Sequence, residues 1–125
     1  MRRRTTLIGL GIAIVAGAVS AQTPLPAKME GRWSNVASGH ANKVEVELLN
    51  METPTHARIK AVFWPYCRWT ETTADLKDGA WEFTFLNCRT GDGTTEIPTR
   101  VRAVDGKNRL EGTYGTGVGK IYFEW

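Results

Sequence analysis

Seven consecutive residues, Phe63-Trp64-Pro65-Tyr66-Cys67-Arg68-Trp69, hold the densest group of side chains able to recognise a ligand. Trp64, Tyr66 and Trp69 offer flat aromatic faces that suit a sugar ring or an apolar molecule. Arg68 offers a guanidinium fork for a carboxylate or phosphate. With Phe63 directed inward, Trp64 points outward and Pro65 ends the strand. These residues then form an aromatic and cationic rim at a barrel mouth, joined by Arg89 if its neighbour Cys88 is bridged to Cys67. The competing role for the same aromatics is to cap the core or to pack on a neighbouring strand.

The other reactive residue types do not assemble into an active site. His40 lies in a turn, Ser38-Gly39-His40-Ala41-Asn42, and His56 opens a strand after a proline loop. Neither has a partner at metal-ligand spacing, so both are expected to be solvated. Glu45 and Glu47 share one face of a strand in the geometry of an acid/base pair. Their alternation with Val44, Val46 and Leu48 reads instead as the wet face of a sheet. After Ala21 the only serines are Ser34 and Ser38, and no Gly-x-Ser-x-Gly elbow exists. The run Gly115, Gly117, Gly119, Lys120 misses the phosphate-loop pattern, because Tyr114 and Ile121 occupy its glycine and Ser/Thr positions. No catalytic residue, metal or cofactor is expected.

The placement of these groups depends first on the start of the chain. Arg2, Arg3 and Arg4 precede an uncharged, mostly apolar run from Leu7 to Val19, closed by the small residues Val19-Ser20-Ala21. This is the pattern of a secretory signal peptide covering residues 1–21. The run is about 13 residues, short of the roughly 20 that span a bilayer. Removing the three arginines takes Lys plus Arg from 16 to 13, equal to the 13 Asp plus Glu, so the formal net charge falls from +3 to 0. A basic excess of the kind that nucleic-acid binding requires is therefore lost on processing. The expected product is exported, periplasmic or extracellular, monomeric, and without a membrane span. In an oxidising compartment Cys67 and Cys88 read as one disulfide.

Residues 22–30, with Pro24 and Pro26, read as a loose N-terminal arm. Residues 31–125 read as a single antiparallel β domain. Its dominant period is two: Val44, Val46 and Leu48; Ala57, Ile59, Ala61 and Phe63; Trp81, Phe83 and Phe85; Val101 and Ala103; Ile121, Phe123 and Trp125. Turn residues separate these runs at 50–54, 77–79, 91–93, 105–108 and 115–117. Seven or eight short strands so spaced imply an up-and-down barrel or, with the same patterning, a β-sandwich. A three-residue turn at Lys77-Asp78-Gly79 leaves Cys67 and Cys88 one residue out of line. A one-residue bulge, for example at Gly79, brings them opposite.

Gly31-Arg32-Trp33, opening this strand region, resembles the Gly-x-Trp entrance of lipocalins and other calycin-like barrels, in which the tryptophan plugs one end. In scale the chain is similar to small exported barrels such as bacterial metalloprotease inhibitors. The expected function is non-catalytic binding of a small apolar or amphipathic molecule, or a glycan, in or near the barrel mouth. A container of this kind needs an open cavity among Trp33, Phe83, Phe85, Tyr114 and Phe123. The alternative is a protein-binding inhibitor, for example of a protease or other hydrolase, acting through the arm or the loops.

Overall fold

The computed structural model describes residues 24–117 and 119–125. The expected signal segment and the first two residues of the arm lie outside the described residues. Eight strands follow in order: β1 (Lys28–Asn35), β2 (Ala41–Thr53), β3 (His56–Phe63), β4 (Cys67–Lys77), β5 (Ala80–Thr90), β6 (Gly93–Ala103), β7 (Arg109–Tyr114) and β8 (Gly119–Glu124). Each pairs antiparallel with the next, and β1 pairs with β8 from Glu30↔Glu124 to Asn35↔Gly119. The sheet is therefore a closed up-and-down barrel, not a sandwich. Closure leaves no edge strand with unpaired backbone. Among the described residues no helix is long and apolar enough to cross a membrane.

The alternating apolar residues face inward as the period of two requires. Val44, Val46, Ile59, Phe63, Phe85, Val101 and Phe123 are all essentially inaccessible to solvent. Ala103 and Trp125 depart from the pattern: Ala103 is exposed at the end of β6, and Trp125 stands partly in solvent beyond the end of β8.

One end of the barrel carries the disulfide and the turns β1–β2, Trp64-Pro65-Tyr66, Gly91-Asp92 and β7–β8. The other end, here the arm end, carries Pro54-Thr55, Asp78-Gly79, residues 104–108, Trp125 and the chain leading into β1.

Three expectations need correction. The arm is not loose where the structure describes it. β1 starts at Lys28, Leu48 donates its backbone N–H to the carbonyl of Ala27, and Leu25 is only 7% exposed. Met29 continues the inward alternation of Trp33, and Leu25 finds apolar surface over the open barrel end.

The β4–β5 turn has two residues, not three, because Lys77 pairs with Ala80. Asp78 and Gly79 both have positive φ, 52° and 78°, as a type I′ turn demands and as Asp-Gly supplies readily. The register correction that aligns the cysteines is consequently not at Gly79. It lies between the Cys67↔Cys88 and Ala74↔Phe83 pairs, where six residues of β4 stand against four of β5.

Finally, β2 runs on to Thr53 through two register shifts, so residues 50–53 are strand and the reversal is Pro54-Thr55. The disulfide itself joins Cys67 to Cys88 as expected, tying the far end of this hairpin.

Candidate functional site

At the disulfide end the aromatic residues build a plug. Trp33 stacks on Phe63 with ring centroids 4.9 Å apart and planes 12° from parallel. Tyr114 meets both rings edge-on, at 6.0 and 5.2 Å. Tyr66 leans over the same pair at 5.8 and 6.4 Å. Such edge and offset contacts are the favoured geometries for aromatic pairs. Burial, with Tyr66 nearby, holds the Tyr114 phenol above its usual value. The indole Nε1 of Trp33 donates to the carbonyl of Trp64 at 2.7 Å, which fixes the Trp64-Pro65-Tyr66 turn over the plug.

The residues expected to form one rim are accordingly divided. Tyr66 belongs half-buried to the plug. Trp64 is 39% exposed beside it, while Trp69 is 37% exposed on the outer wall, with the Lys60 ammonium 5.4 Å above its ring. Arg68 is exposed next to Trp69. Arg89 is exposed too, and its backbone N–H donates to the Tyr66 carbonyl at 2.8 Å, as the bridge between Cys67 and Cys88 requires. Pro65 explains the division: it ends the alternation of β3, so sequence parity no longer determines which way Tyr66 faces.

The interior is filled. Phe63 meets Phe85 at 5.1 Å, Phe85 meets Phe83 at 5.3 Å, and Phe83 meets Phe123 at 6.0 Å, so aromatic rings run in contact from the plug toward the arm end. Among the described residues, the rings of Trp33, Phe83, Phe85, Tyr114 and Phe123 are buried and pack into the space of the expected open cavity.

A cleft of about 650 Å³ opens instead at the arm end. Its apolar lining includes Leu25, Leu76, Trp81, Leu110 and Trp125, and its polar lining Arg102, Asp105, Lys107 and Asn108. Arg102 donates through Nη1 to the carbonyl of Asp78 at 2.7 Å, and the backbone N–H of Trp125 donates to the carbonyl of Asn108. Both bonds tie the rim to the turns that frame it. Sequence reasoning missed this site because its wall is drawn from five separate elements. The available clues were an isolated leucine between two prolines and the polar turn 105–108.

His56 is the second correction to the expected chemistry. It is not solvated alone: Nδ1 lies 2.6 Å from an oxygen of Asp75 across the β3–β4 pair, and Nε2 lies 3.3 Å from Glu52. The hydrogen bond to Asp75 raises its pKa above 6.5, against a smaller opposing effect of burial, with the charges of Asp75 and Glu52 adding to the rise. With a carboxylate at each ring nitrogen, His56 clamps the turn between β2 and β3. Glu45 and Glu47 face outward and pair with Lys43 and Lys60 at 3.4 and 3.9 Å, as residues on a wet face do. Among the described residues no group of three or more His, Cys, Asp or Glu could hold a metal ion. Comparison with known proteins brings no match: no family model, curated protein or solved structure is significantly similar to the chain.

Proposed function

We propose that the protein is an exported, non-catalytic binding protein for a small amphipathic molecule, held in the arm-end cleft rather than inside the barrel. The observation that carries this reading is the composition of the cleft. At about 650 Å³, with a lining in which apolar side chains outnumber polar ones, it has the size and lining of small-molecule sites. Leu76, Trp81 and Leu110 would take an apolar body, and Arg102 and Lys107 would meet an acidic group at the rim. The non-catalytic reading rests on the sequence, which offers no Gly-x-Ser-x-Gly elbow; the approach of His56 to Asp75 and Glu52 is the arrangement that a small enzyme would need instead. Export rests on residues 1–21 and on the disulfide, which suits an oxidising compartment. A lipocalin-like relationship is supported by the closed meander and by Trp33 packed in one end of the barrel.

Titration with dodecanoate and with 8-anilinonaphthalene-1-sulfonate, followed by NMR, tests the assignment. Saturable shifts at Leu25, Trp81, Leu110 and Trp125 are expected, with Trp125→Ala weakening binding by about tenfold through lost apolar contact. Shifts confined to the disulfide end, or no saturation, would reject the cleft.

A protein-binding inhibitor is the second reading. Its support is the exposed set Trp64, Arg68, Trp69 and Arg89, the residue types that dominate protein interfaces. The arm is a poor contact element in this reading, since Leu25 is already buried on its own barrel.

A further inference from the structure

Ion pairs cross several strand boundaries on the outer wall of the barrel. Lys60 pairs with Glu47 across β2 and β3, Arg58 diagonally with Glu71 across β3 and β4, Arg100 with Glu82 across β5 and β6, and Arg109 with Glu124 across β7 and β8. Arg32 on β1 and Lys120 on β8 stand outside these pairs. Arg32 stands in register with Lys43 on one side and with Tyr122 on the other, and Ser34, two residues along, stands opposite Lys120. Lys43 is partnered by Glu45 on its own strand. Among the described residues no carboxylate lies within ion-pair distance of Arg32 or Lys120. Like charges directly opposite on paired strands destabilise a sheet, so the Arg32–Lys43 pairing costs stability, as does Glu30 standing opposite Glu45 and Glu124.

A groove of about 350 Å³ lies at this place, with Arg32, Ser34, Lys120 and Tyr122 around it. Small residues give it depth, because Ala41 stands beside Ser34 and Gly112 contributes no side chain. Its far wall sets one cation against two carboxylates. The Arg109 guanidinium sits 4.0 Å over the Tyr122 ring and is held by Glu111 at 2.6 Å and by Glu124. Of the cations lining this concave site, Arg32 and Lys120 have no ion-pair partner among the described residues, and Ser34 offers a hydroxyl donor beside them.

We propose that this groove on β1 and β8 binds the phosphate or sulfate monoester of a sugar-sized molecule. Guanidinium and ammonium donors together suit a tetrahedral oxyanion, the first by its fork and the second as a point charge. The groove volume falls in the range of small-ligand sites and exceeds the needs of a bare oxyanion, which leaves space for a hydroxylated body against Ser34 and Glu111. This site is separate from the arm-end cleft, and its test does not depend on that reading.

The test is an NMR titration of the protein with inorganic phosphate, inorganic sulfate, glucose 6-phosphate and glucose 6-sulfate. Saturable shifts centred on Arg32, Ser34, Lys120 and Tyr122 are expected, with either sugar ester bound at least tenfold more tightly than its inorganic ion. The relative affinity of the two esters distinguishes a phosphate source from a sulfate source. Arg32→Gln and Lys120→Gln should each weaken binding about tenfold, and the double variant should abolish it. An Arg68→Gln/Arg89→Gln variant and Trp125→Ala should leave it unchanged. Since Arg32 and Lys120 are exposed, the near-UV spectrum of the variants should match that of the parent. Shifts spread evenly over the surface cations, or binding that survives the double variant, would overturn the site. Equal affinity for glucose 6-phosphate and inorganic phosphate would overturn the sugar subsite.

Discussion

Trp33 and Trp64 are joined by a 2.7 Å hydrogen bond from the indole Nε1 of the first to the backbone carbonyl of the second, 31 residues away. The bond couples the plug to the turn that covers it, adding a side-chain tie to the backbone bonds that Trp64 makes with Lys43 and Tyr66 makes with Arg89. Trp33→Phe keeps most of the stack on Phe63 but leaves that carbonyl without its donor. It should cost about 1–2 kcal/mol. Trp33→Ala, which also empties the plug, should cost about 3–5 kcal/mol. Urea unfolding of the two variants measures both, and a Trp33→Phe protein as stable as the parent would show that the bond contributes nothing.

The Cys67–Cys88 bridge closes a loop of 21 residues between two buried sulfurs. In the chain-entropy account, constraining a loop of that length in the unfolded state stabilises the fold by about 3 kcal/mol. Replacing both cysteines by alanine should lower the unfolding free energy by that amount while the barrel still forms, because strands β4 and β5 stay paired from Ala74↔Phe83 to Lys77↔Ala80. Loss of the folded state in the double variant would mean that the bridge also determines the register shift beside it.

How much of this was legible in the sequence follows from the reach of each interaction. Runs such as Ile59-Lys60-Ala61 and Trp81-Glu82-Phe83 declare a half-buried strand because the strand period is local and needs no knowledge of the partner. Barrel closure was not legible in that way. It depends on pairing Glu30 with Glu124, a relationship that period-two patterning leaves open between barrel and sandwich. The cysteine pairing was legible, but its supporting bulge was misplaced, since Asp78-Gly79 makes a tighter turn than the three residues assumed. His56 and Asp75 lie 19 residues apart and meet only through the β3–β4 register. The cleft was hidden for a similar reason, because Leu25, Trp81 and Trp125 converge only when the sheet curls round.

Gly31 and Gly112 sit where two strands approach too closely for any side chain. A Cβ at Gly31 would be driven into the backbone carbonyl of Tyr122, and one at Gly112 into that of Arg100. Backbone atoms in a closed ladder cannot yield as a flexible side chain can. Each alanine substitution should therefore destabilise by roughly 3 kcal/mol or more, among the larger effects of single mutations. Gly93 provides the contrast, for a Cβ there meets nothing within 4 Å and no positive φ is involved. Gly93→Ala should stay within about 0.5 kcal/mol of the parent. Similar costs at all three positions, measured by thermal unfolding, would refute this account of the strand glycines.

The clamp of His56 between Asp75 and Glu52 makes part of the stability depend on pH, with a definite sign. The folded pKa is raised above 6.5, chiefly by the hydrogen bond to Asp75, so the folded chain holds the imidazolium proton more tightly than the unfolded chain does. The resulting stabilisation is fully present below pH 6.5 and is lost as pH rises through the folded value. An NMR titration of the His56 ring should therefore inflect above 6.5. Asp75→Asn should move that inflection down toward 6.5, while Glu52→Gln should move it less, because Glu52 acts only through its charge. The difference in unfolding free energy between the parent and His56→Asn should narrow as pH climbs through the same inflection. An inflection at or below 6.5, or one indifferent to Asp75→Asn, would mean that the 2.6 Å contact does not hold the proton.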